Sequence, residues 1–176
     1  TQKGLYYHGY DSEKSMFWAN EKGLSGCFWL RSLGWFSAAL ADVFDFLPEN
    51  AVRERETVAS YLRELMEGLL PYIDKQANMF YQVVDQGGRE GNYLETSGSA
   101  MLAYVMLKGA RLNVLGTRFC DAGLSVFNGI RARCLKEKDG EPRLGGICLV
   151  AGLGPENNIR RNGTFEYYIS EPVVED

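Results

Sequence analysis

The sequence predicts an all-α protein, part of a toroid of helical hairpins with short β-like segments in its loops. Three observations predict it. Apolar residues recur at spacings of three and four in four separate stretches, turn residues break those stretches into pairs, and the pairs belong to an internal repeat of roughly 65 to 75 residues. From Ser32, the residues Phe36, Ala39, Leu40, Val43, Phe44 and Leu47 form one amphipathic stripe, which Pro48 ends. A second helix runs from about Ala51 to Leu70, with Val58, Leu62, Leu65, Met66 and Leu69 on one face and Pro71 at its end. The third is expected over Ser99 to Asn113, through Ala103, Met106, Leu107 and Ala110. The fourth spans Thr117 to Leu135, through Ala122, Val126, Ile130 and Cys134.

Between the pairs lie β-like runs at Leu5 to Tyr10, Met79 to Val84, Gly146 to Val150 and Thr164 to Ile169, each bounded by Gly, Asp or Asn. They are too short and scattered for a main sheet. The run Leu5 to Asp11 aligns with Met79 to Asp85, and Trp29-Leu30-Arg31-Ser32-Leu33-Gly34 aligns with Tyr93-Leu94-Glu95-Thr96-Ser97-Gly98. One repeat is therefore a strand-like segment, a polar loop and two helices. Such units stack side by side because a single hairpin cannot bury its own apolar faces.

A chain of 176 residues with a net charge of −4 can bury the core of one domain. Its mixed charges offer no basic run to follow a phosphate backbone, so nucleic acid is not expected as a partner. No apolar stretch reaches the roughly 20 residues needed to span a bilayer, and no membrane partner is expected. The four cysteines, Cys27, Cys120, Cys134 and Cys148, are far apart, and one histidine cannot complete a Cys/His zinc set, so no metal is expected. Their apolar neighbours favour reduced thiols, while the compartment stays open between cytoplasm and periplasm. Gly87-Gly88 and Gly145-Gly146 lack the context of a phosphate loop and read as turns; no cofactor is expected.

Chemistry concentrates between Tyr7 and Trp35. The only histidine stands in Tyr7-His8-Gly9-Tyr10-Asp11, and all three tryptophans lie within this stretch. His8 reads either as a histidine satisfied inside a loop or as a donor to a sugar hydroxyl or carboxylate. Trp29 and Trp35 read either as core aromatics or as stacking faces for a pyranose ring. Arg31 favours the second reading, because a cation in the first turn opposes the helix dipole and needs another reason to be there. An anionic ligand held by guanidinium and helix N-terminus together is one reason, and a salt bridge to Glu95 or Asp11 is the other. Trp-x-Arg-x-x-x-Trp thus suits an acidic sugar. Asp11 reads as a loop-capping residue. Glu95 and Thr96 read as caps of the third helix, and as possible secondary substrate contacts if the repeat places them beside Arg31.

At His8-Gly9-Tyr10-Asp11, Phe28-Trp29-Leu30-Arg31-Ser32-Leu33-Gly34-Trp35, Tyr93-Leu94-Glu95-Thr96-Ser97-Gly98-Ser99-Ala100-Met101 and Gly163-Thr164-Phe165-Glu166-Tyr167-Tyr168-Ile169-Ser170, the chain resembles glycoside hydrolase family 105, the unsaturated rhamnogalacturonyl hydrolases. More distantly it resembles the unsaturated glucuronyl hydrolases of family 88. The resemblance implies an (α/α)6 barrel and release of 4,5-unsaturated uronic acid from the non-reducing end of lyase-cut, rhamnogalacturonan-type pectin oligosaccharides. Its chemistry is vinyl-ether hydration, in which an Asp protonates C4, water adds at C5, and the hemiketal collapses. It also implies that His8, Trp29, Arg31 and Trp35 line the uronate pocket. The acid/base Asp is expected upstream of Thr1 and a closing helix beyond Asp176. Residues 1–176 would then be a C-terminal portion of one barrel domain, inactive alone and prone to self-association along an apolar seam. The alternatives are a non-catalytic carbohydrate-binding relative and, less well matched by a single histidine, a barrel sugar epimerase.

Overall fold

A computed structural model describes residues 4–174. It is mostly helical, and its helices pair as the apolar spacing requires. Helix α1 (Leu30–Asp42) starts without a side-chain cap on Trp29 and runs into a 3-10 turn at Val43–Asp45. Helix α2 (Val52–Leu69) follows Pro48, and Arg55 donates back to the Leu47 carbonyl at 2.7 Å, closing the α1/α2 hairpin. Helix α3 (Thr96–Arg111) is capped by Glu95 and carries Lys108 and Arg111 in its last turn, where positive charge suits the dipole. Helix α4 (Arg118–Arg133) completes the second hairpin. Helix α3 lies between α1 and α4, so the buried residues Leu30, Leu33, Leu62, Leu65, Met66, Leu69, Leu102 and Met106 form one core. Burying side chains of this size contributes about 1.5 to 3 kcal/mol each.

The fourth helix is shorter than its apolar spacing suggested. Cys134 caps α4, and Leu135 opens a hairpin instead, β1 (Leu135–Lys138) with β2 (Glu141–Leu144), paired Lys138 to Glu141. Asp139 and Gly140 turn it with φ of 55° and 79°, as a two-residue hairpin requires. The third helix starts earlier than expected, at Thr96, because the Glu95 carboxylate accepts from Ser97 N–H and Gly98 N–H. Strand β3 (Ile147–Cys148), within the β-like run 146–150, pairs with β4 (Val173–Val174).

The β-like reading of Thr164 to Ile169 is overturned. Residues Phe165–Ser170 form helix α5, because the Thr164 hydroxyl accepts from Tyr167 N–H at 3.2 Å and burial of Phe165, Tyr167 and Tyr168 holds the turn against the body. The two aligned runs, Leu5 to Tyr10 and Met79 to Val84, form no regular strand: isolated bridges pair Tyr10 with Leu24, Val83 with Trp29 and Tyr81 with Leu94, and Val84 opens a 3-10 turn. Segment 27–30 lies between them: His8 N–H faces the Cys27 carbonyl at 3.5 Å, Leu30 N–H donates to the Gln82 carbonyl at 3.0 Å, and Val84 N–H donates to the Phe28 carbonyl at 3.1 Å. This irregular ladder crosses the N-terminal ends of α1 and α3. It carries the candidate site.

Candidate active site

His8 comes to rest on aromatic surface. Its ring centroid lies 4.6 Å from that of Trp29, and the Trp29 indole stacks on Tyr168 at 5.8 Å with 16° between the planes. Nδ1 of His8 is 2.6 Å from the Tyr168 hydroxyl. Burial alone lowers the His8 pKa from 6.5 to about 4, so the ring is neutral across the ordinary range. Burial likewise pushes the Tyr168 phenol well above its usual value, and it stays protonated. A protonated phenol can donate to Nδ1 of a neutral imidazole, and in that tautomer Nε2–H is the donor that His8 offers elsewhere.

Gln82 locks this trio from beneath. It is fully buried, accepting from Trp29 Nε1–H at 3.2 Å and donating from Nε2 to the Tyr168 carbonyl at 3.2 Å. In the aligned repeat Gln82 is the counterpart of His8, and both residues touch Trp29 and Tyr168. The internal repeat thus has a spatial meaning.

Arg31 sits in the first turn of α1, its guanidinium 5.4 Å from the Trp29 ring centroid, within range of a cation–π contact. Nη2 donates to the Cys148 carbonyl, while Nε is buried without a partner. Among the described residues no carboxylate pairs with it, so the salt bridge to Glu95 or Asp11 is not formed. Asp11 instead accepts from the backbone N–H groups of Glu13, Ser15 and Met16, which lower its pKa, with Met16 foremost. Ser32, one residue after Arg31, lines a recess of about 250 Å³ together with His8, Tyr6, Tyr7 and Phe36. Trp35 follows Arg31 by one helical turn on the same face and is 62% exposed. The structure brings His8, Trp29 and Arg31 together, with Trp35 beside them on α1.

Glu95 and Thr96 lie behind this surface. Both are 0% exposed, and Thr96 Oγ1 donates to the Gly145 carbonyl at 2.8 Å. Tyr93 stands near them with its hydroxyl buried. Burial raises its pKa, the Cys148 thiol and Glu95 carboxylate raise it further, and Arg31 opposes them. Trp18 works at the opposite edge: its Nε1–H donates to the Gly154 carbonyl at 3.2 Å, and a Cβ on Gly9 would lie 3.3 Å from its ring. Loop 149–163 is thereby held against the His8 segment. Among the described residues no three His, Cys, Asp or Glu side chains gather as a metal-holding group, and the four cysteines are free thiols.

Two contributors were not read from the sequence. Tyr168 lay in a segment read as a strand, and Gln82 in one read only as strand-like. Their signals were the quoted motif around Tyr168 and the alignment of Gln82 with His8.

The sequence matches the family model described as Glycosyl Hydrolase Family 88 over residues 1–176. Protein Atu3128 of Agrobacterium fabrum is 40% identical over 183 residues, which cover 98% of this chain and 76% of that protein. The 24.9 kDa protein in the picA locus of Rhizobium radiobacter gives the same figures. Among solved structures, a glycoside hydrolase from family 105 of C. acetobutylicum ATCC 824 superimposes with a TM-score of 0.93 and 42% identity. All of this chain is covered there, and 49% of that one, so the chain spans about half the length of this structural relative. The unsaturated glucuronyl hydrolase from Bacillus sp. GL1, at 16% identity and a TM-score of 0.60, shares the fold. With the family match running from the first residue to the last, the chain belongs to Glycosyl Hydrolase Family 88.

Proposed function

We propose that this chain forms the uronate-recognising wall of a glycoside hydrolase that removes 4,5-unsaturated galacturonic or glucuronic acid from the non-reducing end of lyase-cut oligosaccharides, with rhamnogalacturonan-type pectin fragments as the substrate class. Residues 1–176 are read as part of a longer barrel domain. The observation that carries this reading is Arg31, a cation held over an indole, anchored on one carbonyl and paired with no carboxylate among the described residues. A partly desolvated guanidinium without a counter-charge is costly unless an anion completes it. The carboxylate of an unsaturated uronate is such an anion, and Trp35, exposed on α1, supplies a face for its ring, while Trp29, only 6% exposed, is a core aromatic that backs Arg31 and His8.

His8 then acts as a neutral donor. With Nδ1 occupied by Tyr168, Nε2–H is free to donate to a hydroxyl or to the carboxylate. In the mechanism that the family resemblance implies, the proton that hydrates the vinyl ether comes from an Asp. Asp11 is tied into its loop, Asp42 pairs with Lys108 at 2.8 Å, and Glu95 caps α3. None of these three is free to act as the acid; the acid is proposed to come from outside these residues, which would leave the isolated chain inactive. The catalytic cycle proposed is protonation at C4, attack of water at C5, and collapse of the hemiketal with release of the neighbouring sugar.

Arg31→Ala in the full-length protein tests the reading. Turnover of a 4,5-unsaturated uronyl disaccharide, followed as loss of ultraviolet absorbance, is expected to fall about 100-fold in kcat/KM. That corresponds to roughly 2.7 kcal/mol, within the usual cost of losing a charge-assisted contact to an anion. Equal turnover by wild type and variant would remove Arg31 from the pocket. Binding of the disaccharide by full-length wild type without turnover would favour the non-catalytic reading.

A further inference from the structure

Glu95 does more than cap a helix. Its Oε1 accepts from the Ser97 N–H at 3.1 Å and the Ser97 hydroxyl at 2.7 Å, and Oε2 accepts from Gly98 N–H at 2.7 Å. Those bonds suffice to satisfy the first turn of α3. A further bond leaves the helix: Cys148 N–H donates to Oε1 at 3.1 Å. On its other side, the same Cys148 gives its carbonyl to Nη2 of Arg31. Helix α1 therefore delivers a guanidinium to β3, and α3 delivers a carboxylate to β3, from positions that correspond in the internal repeat.

Little else described holds Arg31. Its Nε has no partner, and no described carboxylate pairs with it, so its guanidinium is oriented by one carbonyl and by the Trp29 face. That carbonyl belongs to a two-residue strand, too short to be rigid alone. It is fixed on one edge by β4, where Leu149 N–H donates to the Pro172 carbonyl at 2.8 Å. On the other edge it is fixed by the start of α3, through the Glu95 bond and through Thr96 N–H, which donates to the Gly146 carbonyl at 2.8 Å. Ser, Thr, Asp and Asn are the usual caps. The longer Glu has the reach to span from α3 to β3.

We propose that Glu95 is a positioning residue for Arg31, acting through Cys148: it sets the carbonyl that aims the guanidinium at the substrate carboxylate. This rests on the reading of Arg31 as the carboxylate clamp.

Glu95→Asp separates positioning from capping. Aspartate is an excellent cap, but it is one methylene too short to keep the bond to Cys148 N–H. In the full-length protein the fold should be kept with a somewhat lower melting temperature, because Cys148 N–H loses its acceptor, while KM for the unsaturated uronyl disaccharide rises about tenfold with a smaller change in kcat, the scale expected for a misaimed binding group. Glu95→Gln, which keeps the reach, should recover most of the loss. In an Arg31→Ala background Glu95→Asp should add nothing further. Unchanged KM in Glu95→Asp, or full additivity with Arg31→Ala, would overturn the proposal.

A second readout needs no turnover. The Arg31 Nε–H signal in nitrogen-edited NMR, assigned by its loss in Arg31→Lys, should move and broaden in Glu95→Asp. An unmoved signal would overturn the proposal even if wild-type protein leaves the disaccharide uncleaved, a result that would sink the substrate reading instead. Should Glu95→Asp fail to fold, Ser97→Ala removes the 2.7 Å bond alone, and a smaller shift in the same direction is expected.

Discussion

His8 sits where its chemistry is set by what surrounds it. Tyr168 and Trp29 face it, burial is the cause of its lowered pKa, and the folded value of about 4 lies below the unfolded 6.5. As pH falls, the unfolded chain takes up this proton first. The stability that neutral His8 contributes is therefore complete above pH 6.5 and drains away between 6.5 and about 4. The drop from 6.5 to about 4 corresponds to on the order of 3 kcal/mol, less a share for the solvent that still reaches the ring. Asp11, Asp42 and Asp74, whose values are also lowered, lose their contributions only below the ordinary 3.8 of a carboxylate. His8→Gln should flatten the fall in melting temperature between pH 7 and pH 4.5, and parallel curves for the two proteins would refute the burial argument. His8, Trp29 and Arg31 were readable in sequence because each is scarce or misplaced: a lone histidine, clustered tryptophans, and a cation at the wrong end of a helix. Tyr168 and Gln82 were not, since a tyrosine pair in a short motif and a glutamine in an alternating run look ordinary until the chain is folded over them.

Among the elements, the two hairpins were legible from apolar spacing, and their closest approach was marked by glycines at matching repeat positions. A Cβ on Gly98 would meet Leu30 Cγ at 2.5 Å and Cδ2 at 2.9 Å, whereas one on Gly34 would meet Met101 Sδ at 3.0 Å and Cβ at 3.1 Å. Gly-to-Ala in a helix gains up to about 1 kcal/mol of propensity. At Gly98 the overlap falls on the branch point of a fully buried leucine, and overpacking of about 1 to 3 kcal/mol outweighs that gain. At Gly34 the thioether can swing aside but Met101 Cβ, fixed to the α3 backbone, cannot, so a milder overlap remains to offset the gain. Gly98→Ala should lower the melting temperature by several degrees and Gly34→Ala by less, at roughly 2 to 4 °C per kcal/mol for a chain of this size. The reverse order would mean the helices can separate at the crossing. The elements that sequence reasoning misread are those held by local chemistry. The β1/β2 hairpin lacks an alternating apolar face, and its Asp139-Gly140 turn was the sole sign of it. Helix α5 has too few residues for its spacing to differ from a strand, and its cap on Thr164 decided the matter.

At the scale of the whole molecule, the second hairpin keeps an apolar groove open. Ala100, Ala103, Leu107, Phe127, Ile130 and Leu144 line about 560 Å³ between α3, α4 and the β1/β2 hairpin, and Tyr104, Leu124 and Phe127 are each close to half exposed. In a ring of helical hairpins each unit buries such a face against the next one. The chain covers 49% of a relative with that architecture, so the 176-residue chain alone presents the groove to water. A patch of this character favours association over hydration. The isolated chain is accordingly expected to self-associate, with an apparent mass that rises with concentration in sedimentation or light scattering, and Leu107→Asp in the groove wall should return it to a monomer. The full-length protein should be indifferent to protein concentration if the rest of the barrel fills the groove. A wild-type 176-residue chain that stays monomeric at high concentration would show that the groove is tolerated by water and carries no seam.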